Sequence, residues 1–300
     1  MAVPVLTEAT FAAAGTRLVL EQACQLAGID STGARLLRHQ TNAVWLLAAR
    51  GLIVKISRPA ANADRERATL ALAGWLAAED FPALAPTMLE PQRVGGCLVT
   101  IWPYLPQDGL PPVQAADLGH PLRTLHTLHP PMGLPRLAAV AAIRHSLAAS
   151  RILAPADRTF LEARCDDLAR RLAGVHHALP TGLIHADPHH ANALATPSGT
   201  TLLIDWDSAC LGPPEWDLVT IEVHCRRFYS GSGQSERFST AYGLDIRNWT
   251  GFETYRDLRE LRMISTNARK SPPGSPEAAE VHRRIIQVRD QDTRTPWRRL

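Results

Sequence analysis

A dense group of polar side chains interrupts apolar sequence in the segment LIHADPHHAN. The group consists of His185, Asp187, His189, His190 and Asn192. Buried polar groups cost free energy unless they are hydrogen-bonded or used in chemistry, so this segment is the first candidate for a functional site. Asp187 followed by proline is also typical of a turn, and a capped loop without catalytic function is the alternative interpretation.

A short reverse turn follows this segment. The runs ALA and LLI flank the turn sequence TPSGT, which predicts an antiparallel hairpin. In such a hairpin Asn192, before the first strand, lies beside Asp205, after the second. Amide and carboxylate oxygens are ligands that suit Mg²⁺. The sequence therefore predicts a metal site at Asn192 and Asp205 and leaves Asp187 free to face a substrate.

The segment from His185 to Asn192, followed by IDWD at 204–207, resembles the catalytic and metal-binding segments of the aminoglycoside phosphotransferase family. The downstream GPPEWDLV is similar to a G-x-P-x-x-D-L segment of that family, and a weaker similarity reaches LIVKIS and ADRERATLALAGWLA. Together these matches cover most of residues 35–220. The resemblance implies an ATP-dependent kinase that uses Mg²⁺ and phosphorylates a hydroxyl of a small molecule such as a sugar, a metabolite or an aminoglycoside-like antibiotic.

The resemblance also implies roles for the residues of this segment. Asp187 accepts or orients the proton of the attacking hydroxyl, while Asn192 and Asp205 hold Mg²⁺ on the phosphates. Positioning and charge neutralisation are sufficient for phosphoryl transfer, so few groups are needed. His185 is interpreted as a structural hydrogen-bonding residue of the loop, not as a general base. Asp217 braces the catalytic loop from the following helix, or simply caps that helix.

A lysine stands in the middle of an apolar strand, in a chain whose only lysines are Lys55 and Lys270. A buried ammonium needs an anionic partner. A lysine at this position, in a chain whose other basic residues are almost all arginine, indicates that a compact point charge is required. The resemblance implies that Lys55 contacts the nucleotide phosphates and is oriented by Glu66 on the next helix. The alternatives are a strand-edge lysine that reaches solvent, or orientation by Asp64 or Glu79.

Two further segments complete the expected nucleotide site. Protein kinases cover the phosphates with a glycine-rich loop, but the corresponding stretch RLLRHQTNAVW contains no glycine. Thr41 and Asn42 are therefore the candidates to line the phosphates. Residues 101–105 resemble an interlobe hinge, where Trp102 and Tyr104 would lie at the adenine. Trp102 would serve equally well as a core residue.

The surrounding sequence predicts the elements that position these residues. Helices are expected at 16–27 and 62–79, strands at 44–49, 52–57 and 96–101, and mainly helices beyond the Pro- and Gly-rich WPYLPQDGLPP, at 113–129, 136–149 and 156–178. The predicted fold class is an α+β, bilobal protein kinase-like fold. Residues 1–101 form a small strand-rich nucleotide-binding lobe, 102–106 a hinge, and 107–300 a larger, mainly helical catalytic and substrate-binding lobe, with the nucleotide in the cleft between them.

Composition excludes several other classes of protein. With 300 residues, 45% of them hydrophobic and 20% charged, the chain reads as soluble and globular. A net charge of +3, evenly spread, does not favour nucleic acid binding. The cysteines contain no CxxC pair, and no segment has the length and apolarity of a membrane span. A cytoplasmic protein without an obligate protein partner is expected.

Other functions and several acceptors remain open. A metal-dependent hydrolase would use the histidines and Asp187 of the polar segment, with His224 as a further ligand. A pseudokinase would bind nucleotide and transfer nothing. Beyond Val219 basic side chains outnumber acidic ones, which favours a neutral or anionic acceptor over a polyamine antibiotic. A cationic site would instead use the acidic side chains of the same region: Glu222, Glu253, Asp257 and Glu260.

Overall fold

Two compact units make up the residues described by the computed structural model, which are 4–59, 61–229 and 232–300. The first unit contains the described residues up to Pro112 together with Leu194–Asp207, and the second contains Val113–Ala193 and Ser208–Leu300. The chain therefore enters the second unit, returns to the first for one short segment, and ends in the second. The hinge at 102–106 stays a prediction.

An antiparallel sheet forms the centre of the first unit, with the strand order β1-β2-β3-β5-β4. Its strands are β1 (Arg35–His39), β2 (Asn42–Leu47), β3 (Leu52–Ser57), β4 (Gln92–Val94) and β5 (Cys97–Pro103). Gly51 has a positive φ of 63°, which only glycine adopts without strain and which allows the turn between β2 and β3. The buried face of the sheet, including Trp45 and Ile56, packs with Val19 and Leu20 of helix α1 (Ala13–Leu26).

Helix α2 (Ala63–Ala78) begins at Asn62, whose side chain accepts from the backbone N–H groups of Asp64 and Arg65. Strands β7 (Ala193–Ala195) and β8 (Thr201–Leu203) form a hairpin. The segment that follows α2 binds this hairpin, because Pro82 O accepts from Leu203 N–H at 2.8 Å. The Gln107 side chain binds Ala195 through its amide, donating to the carbonyl at 3.1 Å and accepting from the N–H at 3.0 Å. The hairpin that precedes Asp205 is thus fixed within the first unit.

The second unit is mainly helical. Its helices are α3 (Gly119–Leu125), α4 (Ala139–Ala149), α5 (Pro155–Leu172), α6 (Glu215–Phe228), α7 (Gln234–Tyr242), α8 (Phe252–Lys270) and α9 (Pro276–Arg289). Strands β6 (Gly182–Ile184) and β9 (Cys210–Gly212) pair antiparallel. Helix α8 packs against α4, α5, α6 and α9, and buries Leu258, Leu261 and Ile264. It is the helix around which the second unit is organised.

The structure differs from the predicted elements at several points. Strands β1, β4 and β9 were not predicted, because they are short and show little alternation of polar and apolar side chains. The helix predicted to run to 178 ends at Leu172 instead. The backbone N–H groups of Ala178 and Leu179 donate to the buried carboxylate of Glu215, at 2.6 and 2.8 Å, and this draws the segment out of helical geometry.

Within the described parts of the chain, every helix is too short or too polar to cross a bilayer.

Candidate active site

Lys55 lies on β3 in the first unit, next to two carboxylates from the segment after β8. Its Nζ is 2.6 Å from Asp207 Oδ2 and 3.5 Å from Asp205 Oδ1. Burial lowers the pKa of Lys55, but the charges of Asp207 and Asp205 outweigh burial and raise it above its ordinary value. The ammonium therefore stays charged, and the group of three carries a net negative charge.

Glu66 was expected to orient Lys55, but the ion pairs described for Lys55 are with Asp207 and Asp205. Glu66 on α2 acts on this group only electrostatically: burial raises the pKa of its carboxyl and the Lys55 charge opposes that rise. The reason for the difference is local, since the IDWD segment places Asp207 within hydrogen-bond distance of Nζ. Sequence reasoning assigned no role to Asp207.

One carboxylate oxygen of this group can accept a further ligand such as a cation. Asp207 Oδ1 is buried and has no partner among the residues that the structure describes. Asp205 adopts a left-handed backbone with φ of 66°, which is uncommon for a residue other than glycine and is typical of functional sites. Oxygen donors of this kind fit a divalent cation such as Mg²⁺. The arrangement therefore fits the metal that the resemblance implies.

The other predicted nucleotide contacts lie at or just beyond the ends of strands β2 and β5 of the same sheet. Thr41 is exposed in the turn between β1 and β2, and Asn42 opens β2 opposite Ser57. Trp102 on β5 donates from its indole N–H to Thr100 Oγ1 at 3.0 Å. Tyr104 N–H donates to Gly51 O at 2.7 Å, which fixes the chain as it leaves β5. Their roles toward a nucleotide stay predictions.

The loop that carries Asp187 follows β6 in the second unit and is held by Asp217 of α6. The fully buried carboxylate of Asp217 accepts from the backbone N–H groups of His185 and Ala186, both at 2.8 Å, and lies 3.2 Å from His126 Nε2. Trp216 N–H donates to Ala186 O at 2.9 Å. Ala186 has φ of 66°, so these bonds hold the strained backbone immediately before Asp187. His185 itself is fully buried beneath the loop.

The sequence had suggested that Asp187 is free to face a substrate, but in the structure its carboxylate has partners. Its Oδ1 accepts a hydrogen bond from Arg259 of α8, and Oδ2 is 3.8 Å from His189 Nε2. Burial opposes ionisation of Asp187, but Arg259, His189 and His224 outweigh that effect and hold its pKa well below the ordinary value. Asp187 is therefore a carboxylate at neutral pH, and a weak base suited to orienting a hydroxyl.

The remaining polar residues of the loop make contacts within the second unit. Asn192 Nδ2 donates to Asp187 O at 3.0 Å, which leaves its amide oxygen for another ligand. His190 Nε2 bonds with Gln234 Oε1 at 2.8 Å, and the His189 ring stacks on His224 at 4.8 Å. Over the described ranges, no group of three His, Cys, Asp or Glu side chains is arranged to hold a metal, so the cluster required by the hydrolase alternative is not formed.

The His189 and His224 stack gives a testable pH effect. Burial is the main cause that lowers the pKa of His224 well below its ordinary value. Below about pH 6.5, the unperturbed value, the unfolded chain binds a proton at His224 that the folded protein does not bind. Stability is therefore present above that pH and is lost as the pH falls below it, by at most about 1.4 kcal/mol per pH unit.

We expect His224→Phe, which keeps a ring in the stack, to reduce the fall in Tm between pH 7.5 and 5.5. Thermal unfolding of the wild type and the variant at a series of pH values measures the difference. Replacing the exposed His145 with Gln is the control and should retain the wild-type pH dependence. Parallel curves for the wild type and His224→Phe would contradict the assignment.

Comparison with models of known families identifies the family of this chain. The model of the phosphotransferase enzyme family, APH, matches residues 33–261. The chain belongs to the phosphotransferase enzyme family. The predicted family is thereby confirmed, and with it the general class of reaction, phosphoryl transfer. No curated protein matches the chain in a sequence comparison.

Several solved kinases have the fold of this phosphotransferase. Amicoumacin kinase hAmiN, solved with AMP-PNP, Ca²⁺ and Ami, is 16% identical, with a TM-score of 0.72 over 94% of this chain and 95% of that chain. A choline/ethanolamine kinase family protein from Mesorhizobium loti is 23% identical, with 0.66 over 92% of each chain. Choline kinase LicA from Streptococcus pneumoniae is 16% identical, with 0.67 over 90% and 97%. Identities this low establish the fold alone, and they confirm the predicted α+β kinase-like fold.

Proposed function

We propose that this phosphotransferase is an ATP-dependent small-molecule kinase that transfers the γ-phosphoryl group to a hydroxyl. The observation that carries the proposal is the charge group of Lys55, Asp205 and Asp207, a paired ammonium and two carboxylates with a buried, unpartnered oxygen. Family membership supports it. So do the related folds, since amicoumacin kinase was solved with AMP-PNP and Ca²⁺, and a spectinomycin phosphotransferase with ADP.

Each residue of the proposed site has a role that its environment supports. Lys55 contacts the phosphates, and Asn192 and Asp205 hold Mg²⁺, with Asp207 as a further oxygen donor. When bound, the metal neutralises phosphate charge and thereby lowers the barrier to transfer. Thr41 and Asn42 line the phosphates, and Trp102 and Tyr104 lie at the adenine. The Glu66 carboxylate interacts with the Lys55 charge electrostatically, while the ion-pair partners of the ammonium are Asp205 and Asp207.

Asp187 acts on the acceptor. The acceptor hydroxyl oxygen forms a bond to the γ-phosphorus while the bond from that phosphorus to the bridging oxygen breaks, and the electron pair leaves with ADP. The hydroxyl proton passes to Asp187 and from there to water. Because the Arg259 guanidinium keeps Asp187 ionised, the main contribution of Asp187 is to orient the hydroxyl for in-line attack.

ADP release in the presence of ATP, Mg²⁺ and a panel of hydroxyl compounds tests the proposal. We expect Asp205→Asn to lower kcat by roughly 10²-fold or more, since a metal supplies several kcal/mol of charge stabilisation and about 3 kcal/mol corresponds to that factor. Removing Mg²⁺ with a chelator should abolish turnover.

Asp30→Asn is the matched control, because Asp30 is an exposed aspartate of the same unit that pairs with Arg50 at 3.0 Å. The control should turn over at the wild-type rate. A pseudokinase would release no ADP with any compound, and an Asp205→Asn variant with the wild-type kcat would refute the metal assignment.

A further inference from the structure

The acidic side chains expected to line a cationic acceptor site are already bound to other groups. Glu260 is buried and pairs with Arg227 at 2.5 Å and Arg226 at 2.7 Å. Asp257 pairs with Arg164 at 2.6 Å and Arg256 at 2.8 Å. The Glu222 carboxylate accepts from the Ser235 hydroxyl, and Glu253 lies on the exposed surface of α8. Asp257 and Glu260 are therefore committed to arginines and do not offer a free negative charge to a cationic acceptor.

Arg259 is the charged side chain in direct contact with Asp187. Its side chain is only 7% exposed, and its guanidinium lies 5.8 Å from the centre of the Trp216 ring. One of its terminal N–H groups donates to Asp187 Oδ1. Its Nε is buried, and no residue within the described parts of the chain accepts from it. A guanidinium has five N–H donors, so this buried cation is only partly satisfied by the protein.

A partly satisfied buried cation costs free energy until an anion completes its hydrogen bonds. Carboxylate and phosphate groups match the planar donors of a guanidinium and bind it in a bidentate manner. A cationic acceptor would instead place its ammonium near Arg259 when its hydroxyl reached Asp187. Attraction of an anion by Arg259 and repulsion of an ammonium by the same side chain thus both favour an anionic acceptor.

We propose that Arg259 selects an acceptor that carries a carboxylate or phosphate close to the hydroxyl that Asp187 orients. This inference rests on the proposed kinase function and names the substrate class of the same site. It assigns Arg259 as the residue that determines specificity, with one terminal N–H on Asp187 and its other terminal N–H groups on the acceptor anion. The acceptor is then a hydroxy acid or a phosphorylated alcohol, and not an amino alcohol or a polyamine antibiotic.

Matched acceptors that differ in one substituent test the assignment. One set is glycerate, glycerol and 3-aminopropane-1,2-diol, and a longer set is gluconate, sorbitol and 1-amino-1-deoxysorbitol. Glycerol 3-phosphate is added to separate phosphate from carboxylate recognition. We expect kcat/KM for the better anionic compound to exceed that of its neutral counterpart by roughly 10- to 100-fold, the range for a charge-assisted bidentate contact, and the amine to be the poorest acceptor.

Arg259→Gln should remove this preference, and Arg259→Lys should retain part of it. The measured quantity is the ratio of kcat/KM for the anionic and neutral members, because any effect on Asp187 cancels in the ratio. Arg226→Gln is the matched control, since Arg226 is a half-buried arginine that also has a buried, unpartnered Nε, but it pairs with Glu260. It should keep the wild-type ratio. If Arg259→Gln does not fold, the kcat/KM ratios of the wild type and of Arg259→Lys still test the role of Arg259.

The outcomes separate the two proposals. Preference for the neutral or amine members, or an unchanged ratio in the Arg259 variants, overturns the role of Arg259 and leaves the kinase function intact. Absence of ADP release above the rate with water for every compound overturns the kinase function itself.

Discussion

We expect Asp187→Asn to lower kcat for phosphorylation of the acceptor by roughly 10³-fold, within the range of 10²- to 10⁴-fold that a positioned acid or base group contributes. The amide has nearly the same shape as the carboxylate but loses its charge and one acceptor oxygen. It can neither orient the hydroxyl as strongly nor receive its proton. The KM for ATP should change little, because Asp187 is assigned to the acceptor. Steady-state kinetics with saturating ATP measures both constants.

The same substitution also leaves Arg259 without its anionic partner. A buried cation that loses its partner destabilises the fold, so lower activity could arise from unfolding. The double variant Asp187→Asn, Arg259→Gln removes the unpaired charge and should recover much of the lost stability. It should recover no activity. Regained turnover in the double variant, or a kcat within a few-fold of the wild type in the single variant, would contradict the catalytic role of Asp187.

Asp217→Ala has the largest expected effect on stability. It leaves the buried N–H groups of His185 and Ala186 without acceptors and removes the partner of His126. At about 1–3 kcal/mol for each of the two unsatisfied backbone donors, the loss in free energy of unfolding is roughly 2–6 kcal/mol. Activity should fall as well, because the loop that carries Asp187 loses its support. Denaturant unfolding and hydrogen exchange of the two backbone N–H groups measure the change.

The control for this variant is Thr220→Ala on the same helix. Thr220 is also fully buried, but its hydroxyl only donates to Trp216 O one turn earlier in α6, at 2.8 Å. Its replacement should cost much less and should leave the exchange of the His185 and Ala186 N–H groups protected. If Asp217→Ala left that exchange equally slow, Asp217 would be a simple helix cap, the alternative considered from the sequence.

Much of the fold could be predicted because local signals agreed with one another. The turn at Gly51 between two apolar runs predicted β2 and β3, and TPSGT predicted the β7 and β8 hairpin. The position of Lys55 in an apolar strand showed that it needed an anionic partner. Its partner was assigned to the wrong residue, because the reach of the Asp207 side chain depends on the turn after β8, which no local pattern specifies.

Arg259 could not be predicted. It lies 72 residues from Asp187 in the sequence, and in an arginine-rich chain the residue itself carries no signal. Its contact depends on how α8 packs against α6, and thus on long-range packing. For the same reason, the commitment of Glu260 and Asp257 to ion pairs was not visible, and the sequence left a cationic site open. The end of α5 was missed because Glu215, far along the chain, captures two backbone N–H groups.

The five cysteines are all buried in the folded protein, two of them in the first unit and three in the second. Burial raises the pKa of each thiol, and that of Cys210 and of Cys225 reaches about 12. The thiolate is the form that attacks an alkylating reagent, so these positions react only when the surrounding structure opens. The rate at which each thiol is alkylated therefore measures local unfolding. Cys24 and Cys97 report on the first unit, and Cys165, Cys210 and Cys225 report on the second.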